Sequence, residues 1–450
     1  MSYGGALFVD VICLAICGVG LFRFGRLSHS HPATIYLVFH VYTFTWRLVA
    51  LMNGAHTLLS DSSPIFQPVT EAEIVRAAIL ADVALIGMTL ACLLIAQRER
   101  ESGSEKFDSH GVMLDRRIIW GVVAVSLPLG AFGMLSYSVV PETFINPALS
   151  GDGVAGTWGG SSYLAILPTW PGLSLLVLIY YHGFRRWLVA PMVVYLLIMS
   201  IQGYHRFRVI IPVILLIQIH LDRRGRRWPG LGGVAILLAL GMAFFPLKVA
   251  GKMVQQGSSV AEIAETSAQV ITEAGEGQAA DQQFLDQFAA SLSLVDDTGT
   301  FFYGKPFLSV LTLPIPREWW PNKPGLADHI AEMSTPARPM GETGMILTYI
   351  GDAYANFGYA GAVVFPFVLG YWLCRVYVSS YQRPYLSLLR FCYLMVACNL
   401  IQVFRDGIIS IVIFTAVQMM PLVVIVLLHK RFARFEGDVE VGTHTDAGLT

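Results

Sequence analysis

Apolar residues gather into runs near 5–22, 33–53, 72–97, 117–140, 161–182, 187–204, 207–221, 231–248, 358–378, 386–404 and 407–429. Most approach the roughly 17–25 residues that cross a bilayer as one helix. Gly and Pro interrupt several of them, which is tolerable where neighbouring helices satisfy the freed backbone groups. The run 207–221 is short and begins inside the turn before it. Basic residues then test the count. Arg23 and Arg26 follow the first run, and Arg98, Arg100, Lys106, Arg116 and Arg117 follow the third. Arg185 and Arg186 follow the fifth, and Arg223, Arg224, Arg226 and Arg227 the seventh. Arg375, Arg383 and Arg390 flank the exit of the ninth, and Lys430, Arg431 and Arg434 follow the eleventh. Segments 54–75 and 141–161 hold no Lys or Arg. Under the positive-inside rule this alternation predicts an all-α polytopic membrane protein of about 11 transmembrane helices, N-terminus outside and C-terminus cytoplasmic.

The chain divides accordingly. Residues 1–248 carry transmembrane helices 1–8, and 249–343 form one large periplasmic or extracytoplasmic loop. Residues 344–429 supply an interfacial helix and transmembrane helices 9–11, and 430–450 are a cytoplasmic tail expected to be disordered. Within the loop Val260, Ile263, Ala264, Val270, Ile271 and Ala274 recur at helical spacing until Gly275-Glu276-Gly277 breaks the pattern. Phe284, Leu285, Phe288, Ala289 and Leu292 predict a second short amphipathic helix. Two helices and a Pro-rich return thus make a small cap, with five basic against twelve acidic residues.

Composition agrees. The 450 residues are 55% hydrophobic and 14% charged, whereas soluble domains carry roughly 25% charge. A net charge of -1 points to no nucleic-acid partner. The six cysteines (Cys13, Cys17, Cys92, Cys374, Cys392 and Cys398) all fall in or beside apolar runs, so no disulfide framework is implied. No Cys/His group has metal-ligand spacing, so no metal and no cofactor is expected. The first run lacks a basic leader and a small-residue cleavage site, and reads as a retained helix.

Several arginines depart from the charge rule. Arg206 and Arg208 lie in an outer turn, Arg405 in another, and Arg317 and Arg338 in the cap; Arg47 and Arg76 sit near the outer ends of the second and third runs. Arginine in or near lipid marks a site or a pair, and guanidinium presents a fork suited to phosphate. Their convergence would build an outward-facing diphosphate pocket. The plainer alternatives are that Arg47 pairs with Asp82, that Arg405 pairs with Asp406, and that Arg206 and Arg208 snorkel to headgroups.

The segment Pro316-Arg317-Glu318-Trp319-Trp320-Pro321-Asn322-Lys323-Pro324 combines a fixed backbone, indole faces for sugars and flanking cations for phosphate. Interfacial anchoring is the ordinary role of such Trp residues. Farther on, Thr348, Asp352 and Asn356 share one helix face, either turned to a cavity or simply solvated, and a break is expected at Gly358. Asp352 and Glu342 are the acids best placed to take a proton from a sugar hydroxyl; His205 and His329 are rival bases.

Three regions carry a family likeness: Gly203-x-His205-Arg206; Phe301-Phe302-Tyr303-Gly304-Lys305 leading to Pro316-Arg317-x-x-Trp320-Pro321-x-Lys323-Pro324; and Ile350-Gly351-Asp352-Ala353-Tyr354-Ala355-Asn356-Phe357-Gly358-Tyr359-Ala360-Gly361 with the late Phe404-Arg405. In these the chain resembles the Wzy-type O-antigen or oligosaccharide repeat-unit polymerases of bacterial inner membranes. Where relatives carry an arginine before the Phe-x-x-Gly segment, this chain has Leu294-Val295-Asp296-Asp297. The resemblance implies a metal-independent glycosyltransferase of GT-C-like fold. It would move a growing glycan from undecaprenyl diphosphate onto the terminal sugar of another lipid-linked repeat unit, in contact with membrane lipid and with a chain-length regulator as a further partner. On that reading Arg206, Arg317, Lys323 and Arg405, with Arg208 and Arg338 as second choices, hold diphosphate; Asp352 or Glu342 is the base; Tyr303, Trp319 and Trp320 contact sugar. An O-antigen ligase and a lipid-linked glycan flippase are the competing functions.

Overall fold

The computed structural model describes residues 1–25, 27–56, 69–101, 112–139, 167–201, 207–255, 257–275, 283–312, 315, 319–320 and 347–429. Among these the chain is helical and has no strand beyond one isolated bridge, Met113 to Ser387. The helices are α1 (Tyr3–Phe24), α2 (Pro32–His40, a π-helical turn Val41–Thr45, then Trp46–Met52), α3 (Glu71–Glu101), α4 (Arg116–Val139) and α5 (Trp170–His182). Next come α6 (Arg186–Ile201), α7 (Phe207–Arg223), α8 (Leu231–Gln255), α9 (Val260–Gly275), α10 (Phe284–Thr298) and α11 (Lys305–Thr312). Last are α12 (Thr348–Tyr381), α13 (Leu388–Asp406) and α14, which runs from a π-helical turn Ile411–Ala416 into Val417–His429. Among the described residues each apolar run contains a helix, and six helices are long and apolar enough to cross a membrane: α1, α2, α3, α4, α12 and α13.

Helix starts follow local chemistry. Thr70 and Glu73 bond reciprocally, Thr70 N to Glu73 Oε2 at 2.7 Å and Glu73 N to Thr70 Oγ1 at 3.4 Å, which opens α3. Ser259 and Glu262 repeat the device at α9, and Ser387 caps α13 by accepting from Arg390 N.

Among the described residues two large cores and a small one around Leu21, Cys92 and Cys374 result, and α13 is the shared wall of the two large ones. Tyr393, Ala397, Leu400 and Phe404, at helical spacing, enter a core built from α1, α2, α3, α10 and α12. Phe391, Leu394, Met395 and Cys398, on the other side of α13, enter a second core with α4, α5, α6, α7 and α14. In the first core α3 and α12 lie so close that a Cβ at Gly370 would meet Met88 Sδ at 2.6 Å, the tight approach that small residues permit in apolar bundles.

Two expectations about the polar segment are corrected. The second amphipathic helix, α10, is no surface cap: Phe284, Leu285, Phe288, Ala289, Leu292 and Val295 are buried in the first core. Arg47 does not pair with Asp82. It is fully buried and holds Asp286 of α10 at both carboxylate oxygens, Nε to Oδ1 at 2.9 Å and Nη2 to Oδ2 at 2.6 Å, while Nη2 also donates to His56 O at 2.7 Å. The N-terminal part of α9, by contrast, is exposed. The break expected in α12 is present at Gly358 (φ 63°, ψ -151°), where only glycine is comfortable and a Cβ would press on the Phe301 ring at 3.3 Å.

Removing one partner of a buried ion pair strands the other charge. Arg47→Ala and Asp286→Ala should each destabilise the protein by about 3–5 kcal/mol, whereas the apolar pair Arg47→Met with Asp286→Leu should recover most of that loss. Thermal unfolding of the detergent-solubilised protein checks this; equal melting temperatures for all four proteins would show the pair to be unimportant.

Candidate functional site

Of the candidate residues, Asp352, Arg208, Arg405, Tyr303, Trp319 and Trp320 lie among the described residues; Arg206, Arg317, Lys323, Arg338 and Glu342 lie outside them, as do His205 and His329. The described part brings together the Phe301–Gly304 segment, the start of α12 and the end of α13.

Backbone hydrogen bonds clamp the first two. Phe302 N donates to Ala355 O at 3.0 Å and Tyr303 N to Asn356 O at 3.1 Å. Gly304 N donates to Asn356 Oδ1 at 2.9 Å. Tyr303 takes a positive φ of 49° in this turn and leaves its ring 73% exposed. Trp319 and Trp320 are also exposed, as sugar-contacting or interfacial rings would be.

Asp352 departs from expectation. The face bearing Thr348, Asp352 and Asn356 is neither solvated nor turned to an open cavity: all three are buried, as is the rest of Thr348–Asn356. Asn356 Nδ2 donates to Asp352 O at 2.8 Å and to Oδ1 at 3.0 Å. The other carboxylate oxygen, Oδ2, accepts from Ile408 N at 3.4 Å, just past the turn that ends α13. Gly407 (φ 92°) makes that turn, and a Cβ there would sit 2.9 Å from Asp352 Oδ2. The start of α12 therefore meets, through Asp352, the turn that follows Arg405.

Arg405, at the same turn, is the least committed of the buried and half-buried arginines with described partners. Its carboxylate neighbour Asp406 is 3.5 Å away. Nε is buried with no hydrogen-bond partner among the described residues. The guanidinium carbon lies 5.1 Å from the ring centre of Phe207 and 5.2 Å from that of Phe284, the first residues of α7 and α10. The guanidinium is thus held by two aromatic rings at the last turn of α13, which attract a cation without using its donors. Arg208 follows Phe207 on α7 and lines a narrow gap with Tyr195, Leu176 and Met395; its side chain enters the second core's border.

Arg76 is not free for a ligand in the same way. Nη1 meets Asp296 Oδ2 at 2.5 Å, Nη2 donates to Tyr354 OH at 2.7 Å, and that hydroxyl donates to Asp296 Oδ1 at 2.5 Å. Tyr354 and Tyr359 lie under the guanidinium at 5.6 and 5.3 Å. Asp296 is thus the acid that binds Arg76.

At the opposite ends of the same helices is a cavity of about 490 Å³, lined by His29, His31, Asp222, Arg227, Tyr381 and Arg390 among others. Arg390 is locked there on Asp222, Nη2 to Oδ1 at 2.5 Å and Nε to Oδ2 at 3.0 Å. Burial pushes the His31 imidazole down to about 4, and neutral His31 accepts from Ala33 N to start α2. Cys92 of α3 and Cys374 of α12 are joined as a disulfide beside it, a pairing that the cysteine spacing did not suggest. This cavity collects none of the residues singled out for chemistry.

One group was not assembled by the sequence reading, which considered Asp82 only as a partner for Arg47. Asp10, His40 and Asp82, from three different apolar runs, meet inside the first core. The available signal was a titratable residue in the middle of each run.

Losing the Asn356 side chain should free Gly304 N without unseating α12. A net hydrogen bond contributes about 1 kcal/mol, so amide exchange at Gly304 in Asn356→Ala should be about fivefold faster, read by hydrogen–deuterium exchange with peptide mass spectrometry. Unaltered exchange would mean that Phe302 and Tyr303 alone hold the turn.

Comparison of the chain with protein-family models, with curated proteins and with solved structures finds no match.

Proposed function

We propose that this chain is a glycosyltransferase of the bacterial inner membrane that polymerises lipid-linked oligosaccharide repeat units, as the resemblance implies. The single observation that carries the reading is Arg405: a guanidinium at a helix end, between the first residues of α7 and α10, with Nε unbonded among the described residues and the carboxylate of Asp352 at the adjoining turn. On this reading eleven helices cross the membrane in a GT-C-like arrangement, and the ends of α2, α3, α12 and α13 that carry Arg47, Arg76, Asp352 and Arg405 face outward. Undecaprenyl diphosphate bearing the growing glycan binds with its diphosphate at Arg405, joined by Arg206, Arg317 and Lys323, with Arg208 and Arg338 as lesser contributors. Tyr303, Trp319 and Trp320 hold sugar rings.

The reaction follows from charge. A hydroxyl of the second lipid-linked repeat gives its proton to Asp352, or to Glu342, as its oxygen attacks the anomeric carbon. The bond from that carbon to the diphosphate breaks, and the departing diphosphate takes up negative charge against the guanidinium groups. No metal is needed for that step. Asp352 is covered by the Gly407–Ile408 turn, so acceptor binding displaces the Ile408 N–H from its carboxylate.

Arg405→Ala and Asp352→Asn should each lower polymerisation about 10²–10³-fold, the scale for losing one group that stabilises transition-state charge. In cells whose native copy is deleted, glycan ladders should collapse to single-repeat chains at normal protein level. Unchanged long chains would overturn the assignments. A loss of all surface glycan would favour the flippase, and long chains left on the lipid carrier would favour the ligase.

A further inference from the structure

We propose that Asp10 of α1, His40 of α2 and Asp82 of α3 form a proton-binding site in the interior of the helix bundle, which at rest holds one proton on the imidazole and a second on the carboxylate pair. His40 Nε2 lies 2.7 Å from Asp10 Oδ1 and 3.5 Å from Asp82 Oδ1. All three residues are buried, Asp10 at 1%, His40 at 0% and Asp82 at 3% exposure. Both oxygens of Asp82, Oδ2 of Asp10 and Nδ1 of His40 have no hydrogen-bond partner among the described residues. Those are three acceptors and one ring nitrogen in a closed surrounding whose nearby polar groups, Thr45 and Thr89, are neutral hydroxyls.

Counting charge identifies the ligand. One imidazolium neutralises one carboxylate. The second carboxylate then stands unpaired in a medium that penalises isolated charge heavily. The other titratable groups facing the triad are Cys13 and Cys17 from α1 and Tyr36 from α2, and none can carry positive charge. Arg47, farther along α2, is already saturated by Asp286 and His56 O. A proton on the second carboxylate removes its charge and adds a donor between the two acids, which a neutral hydroxyl such as Thr45 cannot do.

Geometry distinguishes this from a divalent cation, which would also neutralise the pair. Ligand atoms about 2.1 Å from a tetrahedral metal lie about 3.4 Å apart, whereas His40 Nε2 and Asp10 Oδ1 are at 2.7 Å, a direct hydrogen bond. Only three side chains contribute among the described residues. The placement suits protons as well. At 1.5 Å per residue Asp10 lies roughly 10 Å into α1 and Asp82 roughly 16 Å into α3, well inside a hydrocarbon core. Ionisable residues at such depth mark functional sites by default, proton relays of Asp and His among them. The π-helical turn begins at Val41, immediately after His40, and such turns gather at functional positions.

The test is infrared difference spectroscopy of the full chain in lipid nanodiscs, titrated across neutral pH in H₂O and D₂O. The wild type should show the carbonyl stretch of a protonated carboxyl group, shifted in D₂O and bleached as pH rises. Asp82→Asn should lose one such carboxyl per protein, whereas Asp352→Asn, removing a buried acid outside the triad, should leave the triad's carboxyl in place. If Asp82→Asn fails to fold, Asp10→Asn serves equally, since the single remaining carboxylate then pairs with the imidazolium. A band unchanged in both triad variants would overturn the proposal. So would a stoichiometric divalent metal in the purified wild type that is missing from Asp82→Asn.

Discussion

The Arg47–Asp286 ion pair is the contact on which the rest of the polar end depends. With no exposed side-chain surface on either partner, it seats α10 inside the first core rather than on top of it. Phe284, two residues earlier, is thereby set against the Arg405 guanidinium. Farther along the same helix Asp296 meets Arg76 and Tyr354. Tyr354 lies between Asp352 and Asn356 on α12, so one helix, pinned by an arginine at either end, fixes both walls of the candidate site.

Charge pairing also explains why the arginines are not equivalent. A guanidinium removed from water needs a carboxylate with matched geometry. Arg47 has Asp286, Arg76 has Asp296 and Arg390 has Asp222, each at 2.6 Å or less. Arg405 has the adjacent Asp406 at 3.5 Å and two aromatic rings. Rings attract a cation without saturating its donors, so Arg405 is stabilised in place while it keeps hydrogen-bonding capacity for an incoming anion. The sorting is electrostatic, and sequence position alone does not reveal it.

Legibility in the sequence depended on range. The apolar runs were legible because a helix in an apolar surrounding needs only composition and length, and the break at Gly358 because no other residue adopts that backbone easily. The proximity of Phe301–Gly304 to Ala355 and Asn356 was foreshadowed only by resemblance, since nothing local encodes a bond spanning more than fifty residues. α10 misled because its place in an acidic polar segment read as part of a small cap; Asp286 and Asp296 instead bind arginines more than two hundred residues away in sequence. The polar stripe of α12, read as facing a cavity or solvent, is buried for a similar reason. Its partners, Gly304 N and Ile408 N, are backbone groups of distant turns.

The failure of the Arg47–Asp82 pairing has a more particular cause, in the shape of α2. In a continuous α-helix residues seven apart lie nearly in line, about 20° off after two turns, so His40 and Arg47 would both look toward α3 and compete for Asp82. The π-helical turn Val41–Thr45 intervenes. A single wide turn takes up one extra residue, which rotates the remainder of the helix by on the order of 100°. His40 accordingly faces Asp10 and Asp82, and Arg47 faces Asp286. One local irregularity thus separates two buried charge systems that would otherwise collide, leaving the acids near His40 short of positive charge while the arginine anchors α10.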